Sequence, residues 1–83
     1  MKTKIISIAQ IRAARALLRW TALDLAKSSG VGVSTIRRVE VMDGAPLIHV
    51  RTLMALQSAF ESAGVEFIDR DDGSAGVMLR QPA

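Results

Sequence analysis

The stretch SGVGVSTIRRVE, residues 29–40, places two arginines side by side, Arg37 and Arg38, on a short predicted helix. A guanidinium group carries a permanent charge and several N–H donors, which suits it to bind anions and planar hydrogen-bond acceptors. Arginines on a helix surface are also commonly no more than a solvated face. Two interpretations are therefore open for this pair: solvation of a surface, or contact with a charged partner.

The residue types needed for catalysis or metal binding are scarce in this chain. It contains no cysteine and no tyrosine, and His49 is its one histidine. Thiolate chemistry, disulfides and a histidine-rich metal site are therefore excluded. The acidic stretch DRDDG lacks the spacing of a calcium loop, and no nucleophile and base are paired by spacing. We expect no enzymatic activity, no metal and no cofactor, and we interpret His49 as a helix cap or a surface residue.

Charge is distributed unevenly along the chain. Residues 1–51 contain nine Lys/Arg and three Asp/Glu, a net charge of +6, whereas residues 52–83 contain two and five, a net charge of −3. A basic front half with an acidic rear half is typical of a protein that binds a polyanion on one side. Chance clustering of charges gives the same asymmetry, so charge alone leaves the question open.

The size and the first residues indicate a small domain without a targeting segment. The chain has 83 residues, of which 49% are hydrophobic, enough for one modest core. The start, MKTKIISIAQIR, contains only a five-residue apolar run, which is too short for a signal-peptide core or a membrane span. We expect a cytoplasmic protein with no membrane partner.

Four helices are predicted from capping signals and from apolar residues at helical spacing. Capping boxes at Ser7–Gln10 and Thr21–Asp24 start the first two helices, and Gly30 provides the turn after the second. The predicted helices cover about residues 8–19, 22–28, 33–42 and 50–63.

The end of the chain changes to β-type sequence. VEFID and GVMLR flank an Asp72-Gly73 turn signal, which predicts a hairpin with strands at about residues 65–69 and 76–80. Because a lone two-stranded hairpin is marginal in water, we expect support from a helix, a second copy of the chain or a third strand. KTKIIS, residues 2–7, is the candidate third strand.

Trp20 and the internal methionines are the remaining large apolar residues of interest. We predict that Trp20 packs in the core, with an exposed contact as the alternative. The methionines, which we expect to fill gaps in the core, are Met42, Met54 and Met78.

The pattern TALDLAKSSGVGVSTIRRVE, residues 21–40, with Arg15 before it and RTLMALQSAFESAG after it, resembles the Cro/lambda-repressor-like helix-turn-helix family of transcriptional regulators. The resemblance covers roughly residues 7–64. It implies a mainly α fold, a four-helix lambda-repressor-like helix-turn-helix domain over residues 1–64. The hairpin, residues 65–83, is then a C-terminal extension of the same domain. The second helix of the motif is expected to lie in the DNA major groove.

Roles for individual residues are implied by their positions in that motif. Contacts to base edges are implied for Val33, Ser34 and Arg38, and Arg38 suits the O6 and N7 acceptors of guanine. Contacts to the sugar-phosphate backbone are implied for Lys27, Thr35, Arg37 and Arg51. An ion pair between Arg15 and Glu40 is implied to tie the first helix to the third.

The resemblance implies a dimeric repressor that binds double-stranded DNA at a palindromic operator and acts by occupying a promoter. We hypothesise that the hairpin makes the homodimer contact by pairing sheet edges. The side chains expected at that contact are Val65, Phe67, Val77 and Leu79.

Five positions depart from the family's pattern. Ser29 stands where an aliphatic residue is common, and His49 stands at a usual Ser/Thr cap position. The other three are Ala22, where glutamine is usual, Leu23, where an acidic residue is usual, and Val41, where asparagine is common. Ala22, Leu23 and Val41 remove polar groups from the expected DNA side. They motivate an alternative, an antitoxin-like or antiactivator module whose partner is a protein, and a structural adaptor is a further alternative.

Overall fold

A computed structural model of the protein describes residues 5–41 and 48–80, which form four helices followed by an antiparallel hairpin. The elements are α1 (Ile8–Leu18), α2 (Ala22–Ser29), α3 (Val33–Glu40), α4 (Val50–Ser62), β1 (Val65–Asp69) and β2 (Ala75–Leu79). The prediction of a mainly helical chain with a C-terminal β-hairpin is therefore confirmed. In these ranges, none of the helices has the length and apolar character needed to cross a membrane.

The helix starts follow from local hydrogen bonds. Ser7 Oγ accepts from the Gln10 N–H at 3.1 Å, and Gln10 Oε1 accepts from the Ser7 N–H at 2.9 Å. Thr21 and Asp24 make the same reciprocal pair at the start of α2, at 3.0 and 2.8 Å. Both capping boxes are thus confirmed, and each satisfies two backbone donors that a helix start leaves free. His49 begins α4 as its N-cap, with Nδ1 accepting from the Arg51 N–H at 3.2 Å.

The helix ends differ slightly from the predicted ones. Arg19 ends α1 in the left-handed region at φ 56°, and Gly30 ends α2 at φ 77°. A glycine adopts such a φ without steric cost, whereas Arg19 is the one non-glycine residue at positive φ in the described ranges. Helix α3 ends at Glu40, before the predicted end at Met42, which lies outside the described residues.

One apolar cluster joins all the elements. Its fully buried members include Ile11 of α1, Leu25 of α2, Ile36 of α3 and Phe60 of α4. Trp20 packs against this cluster, as predicted, with its ring stacked on Phe60 at a centroid distance of 5.9 Å.

The prediction for the methionines is wrong where the structure describes them. Met54 and Met78 have 59% and 46% of their surface exposed. Met42 lies outside the described residues. A helical or alternating pattern of apolar residues marks more positions than a core of this size can cover.

The hairpin packs its apolar face on the helices of its own chain. In the β1–β2 register, Val65 pairs with Leu79 and Phe67 with Val77, so these four side chains lie on one face. Val65 is completely buried, and the other three pack against the same apolar cluster. Val65 therefore has no exposed surface in the single chain, and the dimer contact expected of these side chains stays a prediction. Phe67, Val77 and Leu79 direct their apolar surface into their own core.

Gln10 connects α1 to the hairpin. Its Nε2 donates to the backbone carbonyls of Ile68 at 3.3 Å and Gly76 at 3.1 Å, one on each strand. The side chain is almost completely buried, and the amide therefore satisfies its donors inside the protein. The hairpin thus obtains the helical support that a two-stranded sheet needs.

The sheet formed by the described residues has two strands, and Ile5–Ser7 are not part of it. The rest of the candidate third strand, residues 2–4, lies outside the described residues. Strand β2 begins at Ala75, one residue before the predicted start, because the Arg70 N–H donates to the Ser74 carbonyl at 2.8 Å and closes the turn there.

Candidate nucleic-acid interface

The segment from α2 to α3 is a pair of short helices joined by a tight connection. Gly30 N–H donates to the Ala26 carbonyl at 2.9 Å, and the left-handed conformation of Gly30 turns the chain away from α2. Gly32 then begins α3 without a side-chain cap. The two helices pack on each other, and α2 also packs on α4. The backbone donors at the start of α3 therefore have no side-chain cap to bind them.

Helix α3 has two faces of opposite character. Ile36, Val39 and Glu40 are buried and hold the helix to the rest of the protein. Ser34, Arg37 and Arg38 are exposed on the opposite side. Val33 and Thr35, which are also among the predicted contact residues, are half-buried at the start of the helix.

Arg37 and Arg38 pair with no side chain of the described residues. Among residues 5–41 and 48–80, the ion pair that forms is Arg15 with Glu40, and neither the Arg37 nor the Arg38 side chain takes part in a hydrogen bond. Two adjacent guanidinium groups therefore stay in solvent with all their donors available. Such a surface attracts anions.

The orientation of this surface is fixed by an arginine–carboxylate pair. Arg15 Nε and Nη2 donate to the two carboxylate oxygens of Glu40, both at 2.8 Å, and Nη1 donates to the Trp20 carbonyl at 2.8 Å. Glu40 is buried, with 9% of its side chain exposed, and Arg15 retains 27%. This bidentate geometry is among the strongest polar contacts in proteins, and it sets the angle of α3 on α1.

Arg12 is a positioning residue that the sequence did not reveal. Its Nη2 donates to the backbone carbonyl of Glu40, the last residue of α3. Arg12 and Arg15 therefore both bind the C-terminal end of α3, where positive charge is favoured by the helix dipole. Their spacing of three residues, which puts them on one face of α1, was the signal available in the sequence.

The other predicted phosphate contacts lie on the helices that flank α3. Lys27 is exposed in the last turn of α2, and Arg51 is exposed in the first turn of α4. The hydrogen bonds from the backbone N–H and the side chain of Thr21, with Lys27 nearby, hold the pKa of Asp24 below its ordinary value of 3.8. Asp24 is therefore ionised at neutral pH and fixed at the start of α2, beside Lys27.

Apolar side chains are also exposed near this surface. Leu23 in the first turn of α2 has 51% of its surface exposed, and Val41, directly after α3, has 76%. Ala22 is half-buried and packs against the core. These three departures from the expected pattern thus leave two apolar groups in solvent on α2 and next to α3.

One concavity of the described surface is lined by uncharged side chains. A groove of about 540 Å³ between α2 and α4 is lined by Trp20 and otherwise by serine and alanine side chains. Within the described part of the chain, no group of His, Asp or Glu could hold a metal ion. Neither feature offers a site for a charged ligand, whereas the described cations on α2, α3 and α4 include Lys27, Arg37, Arg38 and Arg51.

Comparisons with protein-family models and with curated proteins gave no match to this chain. Inferences about its function consequently depend on the residues and the geometry described above.

Proposed function

We propose that this protein binds double-stranded DNA sequence-specifically, with α3 in the major groove, and acts as a dimeric regulator that represses by occupying a promoter. The observation that carries the proposal is the exposed end of α3. Ser34, Arg37 and Arg38 are exposed, and their side chains have no partner among the described residues, while the opposite face is held by the core and by Arg15. The resemblance of residues 21–40 to the Cro/lambda-repressor-like helix-turn-helix family supports the same assignment.

Base recognition is assigned to Arg38, Ser34 and Val33. Arg38 donates two parallel hydrogen bonds to O6 and N7 of guanine, which distinguishes this base pair from the other three in the major groove. Ser34 hydrogen-bonds to a neighbouring base edge, and the exposed part of Val33 contacts a thymine methyl group. A helix that carried these residues must keep a constant orientation, which the contacts of Arg12 and Arg15 with Glu40 provide.

Phosphate contacts are assigned to Lys27, Arg37, Arg51 and Thr35, on three neighbouring helices. They position the domain on the duplex and contribute most of the salt-dependent affinity. A second copy of the chain, related by a two-fold axis, reads the other half of a palindromic site about one helical turn away, ~34 Å.

The proposal is tested by selecting bound duplexes from a random pool with the wild-type chain and with Arg38→Ala. We expect a two-fold symmetric consensus for the wild type. For Arg38→Ala we expect loss of preference at one position of each half-site, with discrimination there reduced by about 1–3 kcal/mol. Arg80→Ala is the matched control, because Arg80 is exposed directly after β2, a strand that packs on α1. Recovery of unrelated duplexes would contradict the proposal.

A protein partner is the second candidate function, and the exposure of Leu23 and Val41 is what favours it. In an antitoxin-like or antiactivator module, these apolar groups form the centre of a protein contact and the helices serve as scaffold. The two functions differ in their response to salt. DNA affinity falls steeply as salt rises, whereas an apolar protein contact changes little.

A further inference from the structure

The outer edge of β2 pairs with no other strand of the described residues. In an antiparallel pair, residues that exchange hydrogen bonds alternate with residues that direct their backbone groups outward. The bonds that flank this hairpin, Arg80 N–H to the Gly64 carbonyl at 2.9 Å and Arg70 N–H to the Ser74 carbonyl at 2.8 Å, both join even-numbered residues. The odd-numbered residues of β2 therefore direct their N–H and C=O groups outward. Within the described ranges, these outward groups bind no other part of the backbone.

The two edges of the hairpin differ in chemistry. Strand β1 carries Glu66 and Asp69, so that pairing two copies of β1 would collect four negative charges. Strand β2, AGVML, carries neither a charge nor a proline, the usual devices that keep sheet edges from pairing. Among the two edges, that of β2 is the one built to accept another strand.

The outward-facing surface of β2 is also complementary to itself. A Cβ placed on Gly76 would meet nothing within 4 Å, and two residues later Met78 has 46% of its surface exposed. In an antiparallel pairing of β2 with a second copy, centred on Val77, Met78 of each copy lies opposite Gly76 of the other. The long thioether side chain then covers bare glycine backbone on both sides of the two-fold axis.

We propose that a second copy of this chain binds along β2, forming a continuous four-stranded antiparallel sheet across the two molecules. Val77 pairs with its own symmetry mate, and Ala75 pairs with Leu79 of the other copy, which satisfies the outward backbone groups of both strands. The apolar faces of both hairpins remain on their own cores. The contact is thus made by backbone and by Met78, rather than by the four inward side chains.

Pairing of β2 with β2 of a second copy gives a two-fold dimer. A role for this dimer in operator binding rests on the proposed function, whereas the pairing itself does not. Its tests contain no DNA, so a failure of DNA binding and a failure of pairing are distinguishable.

The first test compares two proline substitutions by sedimentation equilibrium. Ala75 and Asp69 are cross-strand partners at the two edges, and both direct their N–H groups outward, so a proline at either position leaves the bonds within the hairpin intact. We expect Ala75→Pro to raise the dissociation constant of the dimer at least about tenfold, because it removes two symmetric hydrogen bonds. Asp69→Pro should leave the constant unchanged, and circular dichroism should show both variants folded.

Three outcomes would overturn the proposal: a wild-type chain that stays monomeric at high micromolar concentration, equal dimerisation of the wild type and both variants, or weakening by Asp69→Pro alone. The last result would assign the contact to β1 instead.

The second test fixes the register by cross-linking. The chain contains no cysteine, so the double variant Gly76→Cys/Met78→Cys has no competing thiol. Position 76 of one copy faces position 78 of the other in a non-hydrogen-bonded pair, where the Cα separation of about 4.5 Å is within disulfide range. We expect mild oxidation to give a covalent dimer with the double variant and little with either single variant. Absence of the covalent dimer, or equal cross-linking by a single variant, would exclude this register.

Discussion

Glu40 joins the C-terminal end of α3 to α1 through both its side chain and its backbone. It receives two hydrogen bonds from Arg15 through its carboxylate and one from Arg12 through its carbonyl. A buried carboxylate without these donors would carry an uncompensated charge, so the helix and its partner on α1 are stable only together. Ion pairing at this residue therefore links the stability of the fold to the presentation of Arg37 and Arg38.

We expect Arg15→Ala to lower the free energy of unfolding by about 2–3 kcal/mol, less than for a fully buried pair because Arg15 is partly exposed. The double variant Arg15→Ala/Glu40→Leu should recover part of this loss, because it also removes the stranded charge. Urea denaturation of the two variants measures the difference. A curve for Arg15→Ala that superimposes on the wild type would show that the pair contributes nothing.

Single residues were predictable where their partners lie at fixed offsets in a known motif. Arg15 and Glu40 are of this kind. The bonds from Gln10 to Ile68 and Gly76 were not predictable, because the partners are 58 and 66 residues away and every residue has a backbone carbonyl, whatever its side chain. The sequence indicated the capping bonds between Gln10 and Ser7, whereas the bonds from Gln10 to the hairpin are visible only in the folded structure.

At the scale of elements, the starts of α1 and α2 depend on capping boxes, whose geometry is local. Asp24 is exposed, and its hydrogen bonds with Thr21 lower its pKa in the folded chain. The unfolded chain lacks these bonds, so its carboxyl keeps the ordinary pKa. A depressed pKa means that the contribution of Asp24 to stability is complete above pH 3.8 and is lost as the pH falls through the lower, folded-state value.

We therefore expect the wild type to be more stable than Asp24→Asn at pH 7, and this difference to shrink as the pH falls below 3.8. Thermal unfolding measured across that range provides the test. Asp71→Asn, at an exposed position in the hairpin turn, is the matched control for the loss of one negative charge at pH 7. A constant difference between wild type and Asp24→Asn at all pH values would contradict the assigned role.

At the end of α1, a substitution is expected to stabilise the protein rather than destabilise it. Arg19 adopts φ 56°, where its Cβ is strained, and it closes the helix by N–H donation to the Ala16 carbonyl at 3.1 Å. Arg19→Gly should stabilise the protein by about 1 kcal/mol, raising the melting temperature by about 4–8 °C. Arg19→Ala loses the charge but keeps the Cβ, so it should give no stabilisation. Calorimetry on both variants separates backbone strain from charge.

Element boundaries were predictable because capping and turn residues act over a few positions. The four helix starts agree with the sequence prediction, and the first strand does too. The exposure of Met54 and Met78 was not predictable in the same way, since periodicity gives a face without showing whether anything covers it. The same limit applies to the hairpin, because its alternating pattern indicates an apolar face without showing that this face packs on the helices of its own chain.

For the molecule as a whole, the charge asymmetry of the sequence is distributed over separate elements. The exposed cations Lys27, Arg37, Arg38 and Arg51 lie on α2, α3 and α4, whereas the acidic excess lies mainly in the hairpin and its turn. The hairpin contacts α1 and α4. A polyanion that approached the α3 surface would therefore meet positive charge, with the negative charge concentrated on a different element.

This distribution predicts the salt dependence of DNA binding. The logarithm of the association constant should fall linearly with the logarithm of the salt concentration, because each neutralised phosphate releases counterions. Arg37→Ala should weaken binding to all sequences alike and reduce the magnitude of the slope by about 1. Arg38→Ala should instead weaken binding to the preferred sequence most, and Arg80→Ala should change neither the affinity nor the slope.

Fluorescence anisotropy titrations of one specific and one scrambled duplex at several salt concentrations measure all three variants. A slope near zero for the wild type would exclude phosphate contact and favour the apolar surface at Leu23 and Val41 as the functional one.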